Sequence, residues 1–122
     1  MILTFDFSSD VPLYMQLRNQ IVIGIAEGKL VPGEKLPTIR ALADESGINM
    51  MTVSKAYQIL KQEGYLKLDR RHGAVVSVDV DRQRAIEELR TQLREAVARA
   101  VCRNVSEKDI NAILNEVVEE FR

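Results

Sequence analysis

Hydrogen-bonding and cationic side chains are concentrated at the start of one predicted helix, between Asn49 and Lys55. Asn49 is a favourable N-cap, and the helical pattern that follows it ends at Gly64. The apolar residues at i, i+3, i+4 and i+7 spacing predict an inner face made of Val53, Ala56, Tyr57 and Leu60. The outer face then carries Met50, Met51, Thr52, Ser54, Lys55 and Gln58.

Side chains of these types can contact a partner directly. Hydroxyl and ammonium groups donate to phosphates and base edges, and the N–H groups at a helix N-terminus also suit phosphates. Methionines offer apolar surface to thymine methyl groups. A plainer interpretation stays open: Met50 and Met51 can cover an edge of the core, and Arg40 and Lys55 can be solvated surface charges.

A second cationic group lies between two short strand-like runs. Tyr65, Leu66 and Leu68 form the first run and residues 74–78 form the second. The connection between them, Asp69 to Gly73, contains Arg70, Arg71 and His72. This pattern predicts a hairpin with a basic tip, which can follow a phosphate backbone or enter a minor groove.

Two further helices are predicted upstream, and they must position the outer face of the Asn49–Gly64 helix and the basic hairpin. Leu13, Leu17, Ile21 and Ile25 repeat every four residues, with Asp10 as the expected N-cap, Pro12 in the first turn and Gly28 at the end. Thr38 caps a short second helix that Gly47 ends. Two helices joined by a glycine turn are typical of a helix-turn-helix. Upstream, Thr4 to Phe7 alternates and is expected to be a short strand.

Two amphipathic helices are predicted after residue 78. The first carries the apolar positions Ile86, Leu89, Leu93 and Val97. The second begins at the N-cap Ser106 and carries Ile110, Ile113, Leu114, Val117, Val118 and Phe121. Two helices in so short a segment cannot bury both stripes against each other, so we expect a second copy to cover them.

The predicted fold class is therefore mainly α with a small β wing. Residues 1–78 are expected to form a winged helix-turn-helix DNA-binding domain, and residues 79–122 a two-helix C-terminal dimerisation tail. The net charge is −1, but residues 12–78 contain 9 Lys/Arg and 6 Asp/Glu, whereas residues 79–122 contain 8 and 10. The middle of the chain is thus mildly basic.

Several function classes lack sequence support. There is no set of catalytic residues and no Gly-rich phosphate loop, so no enzyme and no cofactor are expected. His72 is the single histidine and Cys102 the single cysteine, with no spacing typical of a metal site. No apolar run is long enough to span a membrane, and the N-terminus does not resemble a signal peptide. A lone thiol fits a cytoplasmic location.

Five segments together resemble the GntR family of bacterial transcription regulators: GKLVPGEKLP, PTIRALA, INMMTVSKA, EGYL and RHGAVV. The resemblance covers roughly Val11 to Val78. The N-x-x-T-V-x-K-A-Y form and the short two-helix tail are similar to the YtrA subfamily. One residue departs from the family pattern, since the usual first glycine of the wing is Arg71 here.

The resemblance implies binding of double-stranded operator DNA as a homodimer, usually as a repressor, with control of a transporter operon as a further expectation. By resemblance, Arg40 would contact backbone or a base edge, the start of the third helix would face the major groove, and His72 and Gly73 would lie near the minor groove. The candidate DNA-binding residues are Thr38, Arg40, Asn49, Met50, Met51, Thr52, Ser54, Lys55, Arg70, Arg71, His72 and Gly73.

Two other functions stay open on the sequence. The winged helix could be a protein–protein adaptor whose exposed methionines form an adaptable contact patch. The chain could also be the N-terminal part of a larger regulator, although it ends after a complete apolar stripe. The operator sequence, the regulated genes and any small-molecule effector are not specified by the residues.

Overall fold

The computed structural model describes residues 3–122, which contain five helices and two strands. The elements in chain order are α1 Leu13–Ala26, α2 Ile39–Ser46, α3 Met50–Gln62, β1 Leu66–Asp69, β2 Gly73–Val76, α4 Arg82–Cys102 and α5 Glu107–Glu119. The chain divides into two compact units, of which the first ends at Asp79 and the second begins at Val80. The predicted fold class, mainly α with a small β wing and two C-terminal helices, is confirmed.

The core of the first unit is formed where α1 packs against α3. Leu17 and Ile21 of α1 and Val53 and Leu60 of α3 have no exposed surface. The Tyr57 hydroxyl donates a hydrogen bond of 2.7 Å to the Pro37 carbonyl oxygen, in the segment that leads into α2. Apolar burial therefore fixes how α3 lies against α1, and one partly buried hydrogen bond ties the segment before α2 to α3.

The starts of α2 and α3 follow the predicted capping chemistry. Thr38 Oγ1 accepts a hydrogen bond from Ala41 N–H at 3.1 Å, and Asn49 Oδ1 accepts one from Met51 N–H at 2.6 Å. Gly47, between α2 and α3, has φ 71°, a conformation that costs glycine little. The turn of the helix-turn-helix is thus defined by local residues.

Two expectations for the N-terminal residues are wrong. Residues 3–6 form no strand, because their backbone groups bond to side chains of α1: Gln20 pairs with both backbone groups of Thr4, and Gln16 Oε1 accepts from Asp6 N–H. Asp10 does not cap α1 either. The N-cap position is Pro12, which makes no side-chain cap, and its carbonyl oxygen accepts from Met15 N–H.

The wing is an antiparallel pair in which Leu66 lies opposite Val76 and Asp69 opposite Gly73. The strands are displaced from the predicted runs. Tyr65 and residues 77–78 lie outside them, whereas Asp69 and Gly73, expected in the connection, are paired within them. A third segment joins its edge, because Leu36 N–H donates to the Ala74 carbonyl oxygen at 2.8 Å. The wing is therefore anchored to the residues that precede α2.

The second unit is a helical hairpin. Asn104, at φ 63°, ends α4 in a Schellman arrangement in which Val105 N–H donates to the Ala100 carbonyl oxygen at 3.0 Å. Ser106 Oγ caps α5 by accepting from Asp109 N–H. No residue of α4 or α5 is buried within the single chain. Within residues 3–122, no helix is long and apolar enough to cross a membrane.

The Tyr57 hydrogen bond generates a stability prediction. Tyr57→Phe leaves the Pro37 carbonyl without its donor and is expected to lower the free energy of unfolding by about 1 kcal/mol, measured by urea denaturation. Tyr65→Phe is the control, because the half-buried Tyr65 hydroxyl has no hydrogen-bond partner among the described residues. Equal losses for the two variants would contradict the assigned role of Tyr57.

Candidate nucleic-acid interface

The outer face of α3 is open at its N-terminal end. Met51 is 79% exposed and Met50 is 45% exposed, so neither methionine covers the core. Lys55 is exposed, and Thr52 and Ser54 are half-buried on the same face. The inner residues predicted from helical spacing, Val53, Ala56, Tyr57 and Leu60, are all buried. The division of α3 into a buried inner face and an open outer face, predicted from helical spacing, is thus confirmed.

Two of the candidate residues also have a structural task. Thr38 and Asn49 use their side-chain oxygens to cap α2 and α3. The Thr38 hydroxyl proton and the Asn49 amide N–H groups remain free to donate to an outside acceptor. Replacing either residue would therefore change the helix end together with any contact to a partner.

Two candidate cations, Arg40 on α2 and Lys55 on α3, are not neutralised by described acidic residues. Arg40, on the first turn of α2, is exposed, and within residues 3–122 neither Arg40 nor Lys55 forms an ion pair. The Tyr57 hydrogen bond to Pro37 ties the segment that leads into α2, and hence the helix start that carries Arg40, to α3. An unpaired guanidinium on a fixed helix start is suited to a phosphate.

Tyr14 on α1 is a neighbour of this face that the sequence interpretation missed. Lys55 Nζ lies 3.9 Å from the centroid of the Tyr14 ring, a cation–π contact. Tyr14 lies one position after Leu13, whose four-residue repeat defines the core stripe of α1. The helical spacing of α1 alone does not indicate that Tyr14 has a neighbour on α3. The Tyr14 and Lys55 side chains meet because α1 packs against α3.

The tip of the wing is shaped by Asp69. Its carboxylate accepts hydrogen bonds from the backbone N–H groups of His72 and Arg71, the latter at 2.8 Å, and its second oxygen lies 3.3 Å from His72 Nδ1. The His72 N–H bond and, to a lesser degree, the other contacts lower the pKa of the Asp69 carboxyl. Gly73 has φ 71°, whereas Arg71 keeps a negative φ. The hairpin therefore places its left-handed residue at Gly73 and needs no glycine at position 71.

The wing tip exposes cations to solvent. Arg70, Arg71 and His72 are all exposed, and neither arginine forms an ion pair with another described residue. The first unit therefore carries basic groups at the start of α2, on the outer face of α3 and at the hairpin tip. A helix with an open N-terminal face and a basic hairpin together bind the grooves and backbone of a duplex.

The apolar stripes of the second unit lie open in the single chain. Leu89 is 56% exposed and Ile113 is 52% exposed. A groove of about 680 Å³ runs between α4 and α5. Six of the ten residues expected at a dimer contact line this groove: Leu93, Val97, Ile110, Ile113, Leu114 and Val117. The other four, Ile86, Leu89, Val118 and Phe121, lie outside this groove, with Ile86 half-buried and the other three exposed.

Fold and site together define a winged helix-turn-helix, DNA-binding transcription regulator. Residues 13–76 match the model of the family described as bacterial regulatory proteins, gntR family. The chain belongs to the GntR family, as its sequence motifs indicated.

Relatives of this chain are themselves regulators. The HTH-type transcriptional regulator Rv1152 of Mycobacterium tuberculosis is 37% identical over 75 residues, which cover 62% of each chain. The HTH-type transcriptional repressor YtrA of Bacillus subtilis is 39% identical over 72 residues, covering 59% of this chain and 55% of YtrA. The match thus spans less than two thirds of the length of either relative. The resemblance to YtrA is confirmed.

Solved structures show the same fold. A transcriptional antiterminator from Listeria monocytogenes EGD-e superposes with a TM-score of 0.90 at 28% identity, covering 100% of this chain and 94% of the other. YtrA from Sulfolobus acidocaldarius, a GntR-family transcription factor, gives 0.59 at 41% identity and covers 97% of both. The DNA-binding domain of AraR in complex with operator ORX1 gives 0.56 at 28% identity, covering 63% of this chain and 96% of that one.

The Asp69 contacts generate a prediction for the wing. Asp69→Ala removes the acceptor for two backbone N–H groups and is expected to increase the hydrogen-exchange rates of the Arg71 and His72 amides severalfold, measured by NMR. Asp44→Ala, at an exposed position on α2, is the control.

The lowered pKa of Asp69 sets the pH dependence of these contacts. Their contribution is fully present above the ordinary carboxyl pKa of about 3.9 and is lost as pH falls through the lower folded value. Amide protection at Arg71 and His72 is therefore expected to persist from neutral pH down to about 4. Loss of protection between pH 7 and 5 would contradict this account.

Proposed function

We propose that this chain is a homodimeric, sequence-specific repressor that places the outer face of α3 in the major groove of an operator. The observation that carries the proposal is the open N-terminal half of α3, where Met50, Met51 and Lys55 are exposed although the helix is otherwise anchored in the core. Residues at this end of a recognition helix reach base edges. The relative YtrA, described as a repressor, supports the regulatory direction.

Each group on the surface has a proposed task. Arg40 and Lys55 neutralise phosphates or reach base edges, and the hydroxyls of Thr52 and Ser54 donate to either. Met50 and Met51 supply apolar contacts in the groove. Arg70, Arg71 and His72 follow the backbone beside the minor groove, with Gly73 allowing the turn. Thr38 and Asn49 position the helix starts and donate their remaining protons. Residues 1–78 would thus be the DNA-binding domain.

The proposed dimer contact is the tail, residues 79–122. At a rise of about 1.5 Å per residue, the 21 residues of α4 extend about 31 Å and the 13 of α5 about 20 Å. The shorter helix cannot cover the apolar stripe of the longer one. Contiguous apolar surface of this kind marks an interaction site. A second copy brings an identical apolar helix, and a two-fold arrangement lets each groove receive the partner's α5.

A two-fold dimer predicts the form of the operator. Two identical reading helices bind an inverted repeat whose half-sites lie about 10 base pairs, one helical turn, apart. Selection of genomic fragments by the purified protein, followed by sequencing, is expected to recover such a repeat. The genes that lie next to the recovered repeat in the genome would also show whether the protein controls a transporter operon. Absence of any retained DNA at low salt, with a protein partner captured through Met50 and Met51, would favour the adaptor function instead.

The phosphate contacts are tested by salt dependence. Arg40→Ala and Lys55→Ala are each expected to weaken binding to a mixed-sequence duplex and to reduce the slope of log K against log salt by about 1. Lys61→Ala is the matched control, because Lys61 is an exposed cation on the last turn of α3, far from the base-reading end. A slope unchanged in Arg40→Ala and Lys55→Ala would exclude them as phosphate contacts.

The tail contact is tested by introducing a charge. Leu114→Glu puts a carboxylate into the apolar groove and is expected to convert the dimer to a monomer in sedimentation velocity. Operator affinity should then fall by roughly 10² or more, because two linked half-site contacts become independent.

Asn115→Glu is the control for this test, since it adds the same group at an exposed position of α5 that does not line the groove. A native chain that sediments as a monomer, or a Leu114→Glu variant that remains dimeric, would refute the proposed interface.

A further inference from the structure

A shallow cleft of about 360 Å³ lies between the start of α1 and the outer face of α3. Tyr14 forms one side, and Met51, Thr52, Ser54 and Lys55 form the other. The surface proposed to read DNA therefore includes a side chain from a helix that is otherwise part of the scaffold. The position of Tyr14 is well defined, because it packs against the buried core while part of its ring stays open.

The Tyr14 ring restricts Lys55. A lysine side chain on a helix surface is flexible, and its ammonium group samples many positions. Here the ammonium lies 3.9 Å from the centroid of the Tyr14 ring, where the negative face of the aromatic system attracts it. Lys55 therefore lines the cleft in a position that its contact with the Tyr14 ring restrains.

The walls of the cleft are mainly apolar. The lining includes the Tyr14 ring and the side chain of Met51, which is 79% exposed, together with Lys55, Thr52 and Ser54. In the major groove, the one apolar group that distinguishes a base pair is the 5-methyl group of thymine. A phosphate placed here would lose part of its hydration, and Lys55 is the one cation of the lining that could offset that cost. The chemistry of the cleft thus favours a methyl group over an anion.

We propose that Tyr14 is a specificity-determining residue and that the cleft between Tyr14, Met51 and Lys55 receives the 5-methyl group of one thymine in each operator half-site. This inference rests on the proposed function, since it requires α3 in the major groove. It adds a preference for thymine at one position that rests on apolar contact and not on hydrogen bonding.

The test replaces thymine by deoxyuridine, which removes only the methyl group. The probe is the duplex recovered by genomic selection, with each thymine of one half-site replaced in turn, and affinity is measured for the full-length chain. For the native chain, one replacement is expected to weaken binding roughly threefold to fivefold, the value of one buried methyl group. The other replacements should have smaller effects.

The variants assign that effect to the cleft. Met51→Ala and Tyr14→Leu are expected to abolish the response at the sensitive thymine, so that thymine and deoxyuridine duplexes bind equally. Tyr14→Phe keeps the ring and should keep the response. Gln62→Ala, at an exposed position on α3 that does not line the cleft, is the control and should also keep it. Met51 is on the surface, so its variant remains informative if Tyr14→Leu folds poorly.

The outcomes separate this inference from the function on which it rests. A native chain that retains no DNA overturns both. A native chain that binds the repeat but responds to no deoxyuridine replacement overturns the cleft assignment alone, as does a response that survives in Met51→Ala and Tyr14→Leu. A third outcome is that Tyr14→Phe weakens binding to every duplex equally, while Tyr14→Leu still binds the thymine duplex more tightly than the deoxyuridine duplex. That outcome would make Tyr14 a phosphate contact and would overturn the proposal.

Discussion

The burial of one face of α3 is the constraint on which the rest of the first unit depends. Val53, Ala56 and Leu60 have no exposed surface, so the helix cannot rotate about its axis without exposing apolar groups to water. With the inner face fixed, Met50, Met51 and Lys55 must point outward. The Tyr57–Pro37 hydrogen bond then extends the same constraint to α2 and to Arg40. A reading surface is thereby held in place by packing that makes no contact with a partner.

Electrostatics and apolar exposure are divided between the two units. The first unit is neutral as a whole, with 9 Lys/Arg and 9 Asp/Glu in residues 1–79, but it exposes a basic surface on which Arg40, Arg70 and Arg71 are unpaired among the described residues. An acidic residue contributes to this basic surface, because the Asp69 carboxylate organises the backbone of the wing tip. In the second unit, no helical residue is buried, and exposed apolar side chains line α4 and α5. The two surfaces suit different partners: a polyanion for the first and an apolar helix for the second.

Much of the fold could be predicted because its determinants are local. The caps Thr38, Asn49 and Ser106 and the inner face of α3 follow from residue type and helical spacing. The strand expected at Thr4 to Phe7 failed because alternation does not reveal that glutamines from α1 would bond those backbone groups. Tyr14 escaped notice for a related reason: its proximity to Lys55 arises from helix crossing, which one-dimensional periodicity does not encode. The task of Asp69 was missed for a different reason: its contacts are local, with residues two and three positions further on, but the sequence was interpreted only for the positive charges of this turn.

The central claim, that the outer face of α3 reads bases, is tested most directly by comparing genomic selection for two proteins. One is the native chain, and the other is a Met51→Ala, Ser54→Ala double variant. The unfolding midpoints of the two proteins are measured first, to show that the variant is as stable as the native chain. We predict that the native chain enriches a recurrent inverted repeat, while the variant retains DNA through its unchanged cations but loses or alters that repeat. Recovery of the same repeat with the same enrichment by both proteins would contradict the account and move sequence recognition away from this face.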